Sequence, residues 1–174
     1  MTHHIAVYPG TFDPVTNGHM DLIQRALAIF PRVVVGVAVV SGKETLFSVE
    51  ERTEMLRQAT RKWRAVRVEP FDDLAVAFAK RQGARVILRG LRMLSDFEYE
   101  FQMALTNRRL TPEVETVFLM PSAEYSYISS RLIKETVTLG ADVRGFVPDF
   151  VAQRLKDRLA LSEAPPGASA HKLR

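Results

Sequence analysis

The stretch IAVYPGTFDPVTNGHMDLIQRALAIF, residues 5–30, decides the fold. Residues 5–8 form an apolar run that reads as a strand, and Leu22, Ile23, Ala26, Leu27 and Phe30 recur at helical spacing. Between them, YPGTFDPVTNGH (8–19) crowds two prolines, two glycines, two threonines and a histidine into one turn. A strand passing through such a turn directly into an amphipathic helix is the opening half of a strand–helix–strand unit.

Outward from this unit the alternation continues. Further Val/Ile/Leu-rich runs at 33–40, 65–69, 85–89 and 116–120 read as strands. SVEERTEMLRQATRKW (48–63) opens with Ser48 and Glu51 at capping-box spacing, and SDFEYEFQMALTNRRL (95–110) has Ser95 and Glu98 at the same spacing. DLAVAFAKRQG (73–83) and SSRLIKETVTLG (129–140) each end on a glycine stop, Gly83 and Gly140. A last helix is expected from near Pro148, a tolerated first-turn position, to about Leu161. Strand alternating with helix requires right-handed crossovers. The expected fold is therefore α/β and Rossmann-like, a doubly wound sheet of five parallel strands with helices on both faces.

The chain has 174 residues, 47% hydrophobic and 25% charged, enough for one well-buried core. A single domain over 1–161 is expected, followed by a disordered tail, SEAPPGASAHKLR (162–174), small, polar and proline-rich. Twenty-four Lys and Arg against twenty Asp and Glu leave a net charge of +4, which favours an anionic partner. The arginines are spread along the chain, often beside glutamates, so a nucleic-acid stripe is not expected. With no cysteine, disulfides and thiolate zinc sites are excluded. No apolar run approaches a membrane span and no signal peptide is legible, so no membrane partner and a cytoplasmic location are expected.

In an open parallel sheet, ligands bind beyond the carboxyl ends of the strands. The loops there carry Gly10, Thr11, Phe12 and Thr16 to His19, then Gly42 and Lys43, FDDLA (71–75), Arg89 to Arg92, and PSAEYSYISSR (121–131). Two helix N-termini, near residues 17 and 129, face the same edge and favour an anion. Neither G-x-x-x-x-G-K-[ST] nor G-x-G-x-x-G occurs, which argues against a Walker-type ATPase and a nicotinamide or flavin cofactor. Gly10 and Gly18 would let backbone approach a ligand, and His19 would set a ring N–H against a phosphate oxygen. Blander readings compete at each position. His19 could be a capping residue, Pro9, Asp13 and Pro14 suit turn chemistry, Lys43 alone could be a solvated lysine, and Ser129 and Ser130 could simply cap their helix. Arg89, ending an apolar strand, needs an anionic partner if buried. Phe97, Tyr99 and Phe101 read as core or subunit-contact residues.

Taken together, YPGTFDPVTNGH, LRGLR (88–92), DFEYEFQMALTNRRL (96–110) and YSYISSRLIKE (125–135), in this order, resemble the bacterial phosphopantetheine adenylyltransferases over about residues 5–160. The T-x-G-H element, Thr16 to His19, is shared across the nucleotidyltransferase superfamily. The resemblance implies a reversible reaction in coenzyme A synthesis: ATP and 4′-phosphopantetheine give dephospho-coenzyme A and pyrophosphate, by direct in-line attack without a covalent enzyme intermediate. It implies Thr11, Phe12, His19, Gly90, Leu91, Arg92, Glu100, Tyr125, Ser126, Tyr127, Ile128, Ser129, Ser130 and Arg131 around ATP. It also implies Thr11, Lys43, Leu74, Ala75 and Arg89 at the acceptor, with His19, Thr11, Lys43 and Arg89 as the catalytic set. Mg²⁺ accompanies ATP with no dedicated protein ligands. A homohexamer built as a dimer of trimers, and coenzyme A as a feedback inhibitor, are further implications.

The residue types suit that chemistry independently. A phosphate monoester has a second pKa near ~6, so the nucleophile is already anionic and needs no general base. What remains is positioning and electrostatics, with Lys43, Arg89, Arg92 and His19 read as cations. Two departures from the family pattern stand out: Arg131 replaces a frequent third serine, and Glu44 and Thr45 follow Lys43 where a lysine and a proline are frequent. Arg131 could bind a β- or γ-phosphate or face solvent. The rival readings are another nucleotidyltransferase with a different acceptor, and a nucleotide-binding module without turnover.

Overall fold

The computed structural model describes residues 5–39 and 45–163. Five strands, β1 (Ile5–Gly10), β2 (Arg32–Ala38), β3 (Val66–Phe71), β4 (Val86–Gly90) and β5 (Glu115–Leu119), form one sheet in the order β3-β2-β1-β4-β5, all parallel. Each lies within two residues of its expected position; the central strands β1 and β2 are buried along most of their length and read as continuous apolar runs, whereas β3 carries Arg67 and Glu69 between its apolar residues. The helices are α1 (Asn17–Ile29), α2 (Val49–Thr60), α3 (Ala75–Arg81), α4 (Leu94–Leu110), α5 (Ser130–Thr138) and α6 (Asp149–Glu163), with a 3₁₀ turn at Ala123–Tyr125.

The period of two along the strands divides the core. Ala6 and Tyr8 of β1, with Val33, Val35 and Val37 of β2, pack under α1, α2, α5 and α6, against Ile23, Leu56, Ile133 and Leu155. Val7 and Val34 point the other way, toward Val76, Phe78 and Ala79 of α3. Helices thus cover both faces, as the doubly wound reading requires.

Helix boundaries separate sound signals from a false one. At α2, Ser48 and Glu51 form the expected capping box. At α4 the expected Ser95–Glu98 box does not form: the N-cap is Met93, without a side-chain cap bond, and Ser95 lies inside the first turn. At this earlier start the Asp96 N–H donates to the Met93 carbonyl, and Arg92 pairs with Asp96, one turn on, through Nε (3.1 Å). Gly83 and Gly140 follow α3 and α5 with φ of 67° and 81°, the left-handed stops expected of glycine. Pro148 stands just ahead of α6 rather than in its first turn, its carbonyl accepting from the N–H groups of Val151 and Ala152. The expected tail from residue 162 onward lies outside the described residues beyond 163. Among the described residues no helix is long and apolar enough to cross a membrane.

Candidate active site

The strand order reverses between β1 and β4, which leave the sheet in opposite crossover directions and open a crevice beyond their carboxyl ends. A cavity of about 550 Å³ occupies it. The loop between β1 and α1 forms its floor, β4 and the start of α4 one wall, and residues 125–134 the other.

The T-x-G-H element is a capping box in which histidine takes the place of the usual glutamate. Thr16 is the N-cap of α1, and its hydroxyl accepts from the His19 N–H (3.4 Å). In return the Thr16 N–H donates to His19 Nδ1 at 3.0 Å. Since Nδ1 accepts, the ring proton sits on Nε2. Burial, reinforced by the nearby positive charges of Arg92 and Arg89, lowers the His19 pKa to about 3. His19 is therefore a neutral donor of fixed tautomer, which corrects its reading as a cation; the capping reading and the ligand-facing reading describe the same side chain.

Phe12 supports this ring. Its backbone is left-handed (φ 52°), and its buried side chain stands edge-on to Tyr8 and His19, with centroids 5.4 Å and 4.9 Å away. A Cβ on Gly10 would lie 2.9 Å from the Phe12 ring, so Gly10 makes room for Phe12. At Gly18, which lines the cavity, a Cβ would come no closer than 3.5 Å to its protein neighbours, an ordinary contact.

The cations around the cavity are each held by a carboxylate. Arg89 donates from Nε and Nη2 to the two Glu100 oxygens (2.7 and 2.5 Å) and from Nη1 to the Pro9 carbonyl (2.9 Å). Burial opposes the Arg89 charge, but the Glu100 carboxylate outweighs it and holds the pKa above the usual guanidinium range. Arg92 pairs with Asp96 and donates to the Ile128 carbonyl (3.1 Å). Lys134 donates to Asp13 Oδ2 at 2.6 Å. Arg131 pairs with Glu135 on its own helix and has an 87% exposed side chain. Behind the floor, buried Arg52 donates to the carbonyls of Thr11, Ala38 and Phe47, tying the loop to the end of β2 and the start of α2.

Of the residues expected at the site, Thr11, Phe12, His19, Arg89, Gly90, Arg92, Glu100, Tyr125, Ile128, Ser129, Ser130 and Arg131 line this one cavity. Leu91, Ser126 and Tyr127 do not, nor do Leu74 and Ala75, which sit at the start of α3, with Leu74 60% exposed. Lys43 lies outside the described residues. Ser129 caps α5 by accepting from the Leu132 N–H, whereas Ser130 is not a cap and donates to the Pro14 carbonyl. Phe97, Tyr99 and Phe101 are exposed, which rules out the core reading within the chain. Asp13, expected as turn chemistry alone, is 4% exposed and accepts from the N–H groups of Leu46 and Phe47 as well as from Lys134. Asp13 and Lys134 are the site residues that sequence reasoning passed over. The one available signal was Lys134 standing four residues after Ser130, on the same helix face.

The donor set does not suit a resident metal. Asp13, Asp96 and Glu100 are already bonded to cations, and among the described residues no three His, Asp or Glu side chains gather closely enough to hold an ion.

Comparison with known proteins follows the same lines. The cytidylyltransferase-like family model matches residues 7–136. The chain is 55% identical over 157 residues to the phosphopantetheine adenylyltransferase of Desulforudis audaxviator, covering 90% of this chain and 96% of that one. It is 56% identical over 161 residues to the enzyme of the same name from Rhodospirillum rubrum, covering 90% and 94%. Among solved structures, one described as a candidate nicotinate-nucleotide adenylyltransferase from Vibrio parahaemolyticus superposes with a TM-score of 0.68 over 94% of this chain and 98% of that one. At 14% identity, that likeness speaks to the fold alone.

Proposed function

The chain belongs to the phosphopantetheine adenylyltransferases of the cytidylyltransferase-like family, and from that premise we propose how its cavity carries out the reaction. The enzyme transfers the adenylyl group of ATP to 4′-phosphopantetheine, giving dephospho-coenzyme A and pyrophosphate in coenzyme A synthesis. The observation that carries the mechanism is the neutral His19, its tautomer locked by the Thr16 capping box, in a cavity with Arg89 and Arg92.

The acceptor's phosphate attacks the α-phosphorus in line, and pyrophosphate leaves on the opposite side. No general base is required, because the nucleophile is ionised near neutral pH. Charge grows on the non-bridging α-oxygens in the transition state, and preformed donors stabilise it without reorganising. The His19 Nε2–H donates to one of these oxygens. The acceptor's phosphate is drawn to Arg89, whose fork keeps two N–H groups after its bonds to Glu100 and Pro9. Thr11 stands between the two substrates at the end of β1. Arg92, the N-terminus of α5 and its serines face the triphosphate. Mg²⁺ enters as part of the MgATP substrate.

The exposed apolar row Leu94, Phe97, Phe101 and Leu105 on α4 supports assembly through that helix, in keeping with a hexamer. Coenzyme A, which contains the product's skeleton, would occupy the same cavity and act as an inhibitor. Both substrates are phosphorylated and do not cross membranes unaided, which favours a cytoplasmic location.

The deciding experiment measures pyrophosphate release from MgATP with 4′-phosphopantetheine, with nicotinate mononucleotide, and with no acceptor. Release that depends on 4′-phosphopantetheine alone supports the assignment; release with the mononucleotide overturns it.

A further inference from the structure

We propose that the Tyr8 hydroxyl is a further catalytic donor, held between His19 and Arg89 and hydrogen-bonding the phosphoryl group that passes from ATP to the acceptor. The inference rests on the adenylyltransferase reading of the cavity.

Tyr8 carries a hydroxyl that the packing around it does not call for. The residue lies on β1, is 7% exposed, and belongs to the same apolar cluster as Ala6, Leu22, Ile23 and Val35. Phenylalanine would meet every packing demand of that position. A buried tyrosine hydroxyl ordinarily finds a partner, because leaving it unmet forfeits the hydrogen bond it made with water. Among the described residues the Tyr8 hydroxyl has no such partner. Nor is it sealed in: among those residues, Thr116 Oγ1 is the single side-chain polar atom that is both fully shielded and unpaired. The Tyr8 oxygen therefore opens onto the cavity that the residue lines.

The neighbours of that oxygen decide what it can do. Phe12 stands edge-on to the Tyr8 ring, with centroids 5.4 Å apart, and His19 tilts against it at 6.4 Å, so the ring is held beside the histidine. Tyr8 precedes Pro9, whose carbonyl accepts from Arg89 Nη1, and Arg89 is the cation whose charge acts most strongly on the hydroxyl, ahead of Arg92. Glu100, whose charge also reaches it, gives both carboxylate oxygens to Arg89. Burial raises the phenol pKa, and the two arginines offset only part of the rise. At neutral pH the group is therefore a protonated donor and not a base. What such a donor lacks is an anion. The α-phosphoryl group, met by the His19 Nε2–H on one side and by the phosphate that Arg89 draws in on the other, is placed to accept from it. Negative charge grows on the oxygens of that group at the transition state, where a fixed neutral donor contributes most.

The test compares wild type with Tyr8→Phe, which removes the hydroxyl and keeps the ring, in pyrophosphate release from MgATP and 4′-phosphopantetheine, in ATP calorimetry without acceptor, and in thermal unfolding. Loss of one transition-state donor predicts a kcat lowered about tenfold, with both KM values and the ATP dissociation constant within about twofold of wild type. Thermal stability is expected to stay level or rise, since an unpaired hydroxyl leaves the core. That opposition separates a catalytic hydroxyl from a structural one, whose removal would lower activity and stability together. The His19 ring resonances of Tyr8→Phe should remain free of titration between about pH 5.5 and 8, as expected of an undisturbed histidine. A kcat within about twofold of wild type overturns the proposal, as does a fall in kcat accompanied by lost stability or a titrating His19. A raised KM at unchanged kcat overturns the assignment to the transferring group and leaves a ground-state contact. Failure of the reading beneath is seen separately, as a wild-type protein that releases no pyrophosphate with 4′-phosphopantetheine.

Discussion

The two edges of the sheet carry arginines in similar number and treat them differently. At the carboxyl edge, Arg89 is clasped by Glu100, Arg92 by Asp96 and Lys134 by Asp13, while Arg52 is spent on three carbonyls. At the amino edge a second cavity, about 490 Å³, is lined by Arg32, Arg64 and Arg67. There Arg67 meets Glu69 with its side chain 72% exposed, and neither Arg32 nor Arg64 has a carboxylate partner among the described residues. Volume and charge count do not separate the two edges. What separates them is preorganisation: cations whose geometry is fixed before the ligand arrives need not be ordered at the transition state.

The contrast can be broken first at its centre. His19→Ala removes a fixed donor and is expected to lower kcat about 10²- to 10³-fold, with ATP affinity changing less. A loss confined to ATP affinity, seen in steady-state kinetics with parallel calorimetry, would contradict a transition-state role. Arg89→Lys keeps the charge but gives up the two-pronged grip on Glu100, and is expected to cost about tenfold in kcat/KM for the acceptor; full activity would mean that charge alone suffices at this edge too.

A subtler test uses pH. The native His19 resists protonation, whereas in the unfolded chain it takes a proton near about pH 6.5. Between those two pKa values the unfolded state binds more protons, so His19's contribution to stability is full above pH 6.5 and declines as the pH falls toward 3. Ring resonances of His19 should show no titration between about pH 5.5 and 8 in the free protein, and a midpoint near 6.5 would refute the locked neutral tautomer. Smallest of all are the exposed cations. Arg131→Ser should alter KM for ATP by about twofold or less, given its solvent-facing pair with Glu135. Arg64→Ala at the amino edge should leave turnover unchanged and thermal stability within about 0.5 kcal/mol.

How far the chain could be read in advance depended on the range of the forces involved. The central strands were legible because burial on both faces demands unbroken apolar runs, and the edge strands because short β-branched and apolar runs recur between the helices. Ser48 with Glu51 was legible because a capping box closes within one turn. Ser95 with Glu98 has the same letters and failed, since α4 starts at Leu94 and Ser95 already lies inside its first turn. At the site, the rule that ligands gather beyond strand ends collected Thr11, His19, Arg89 and Arg92 correctly into one cavity, but Leu74 and Ala75 lie outside it. Nothing local marked Asp13 as more than a turn former, for its lysine partner is 121 residues away.

Local order and alternation thus belong to the sequence: the five strands, the helices between them, and the T-x-G-H turn at the head of α1 are marked by patterns spanning a few residues, whereas their parallel pairing joins residues as far apart as Ala6 and Val86. The state of the site belongs to the tertiary structure. Only the fold brings Arg89 onto Glu100, seats Phe12 under His19, and sinks Asp13 while leaving Lys134 at the wall, and with these it sets His19 neutral. Desolvation and charge pairing depend on distance in space, and distance in space is what a linear chain does not state.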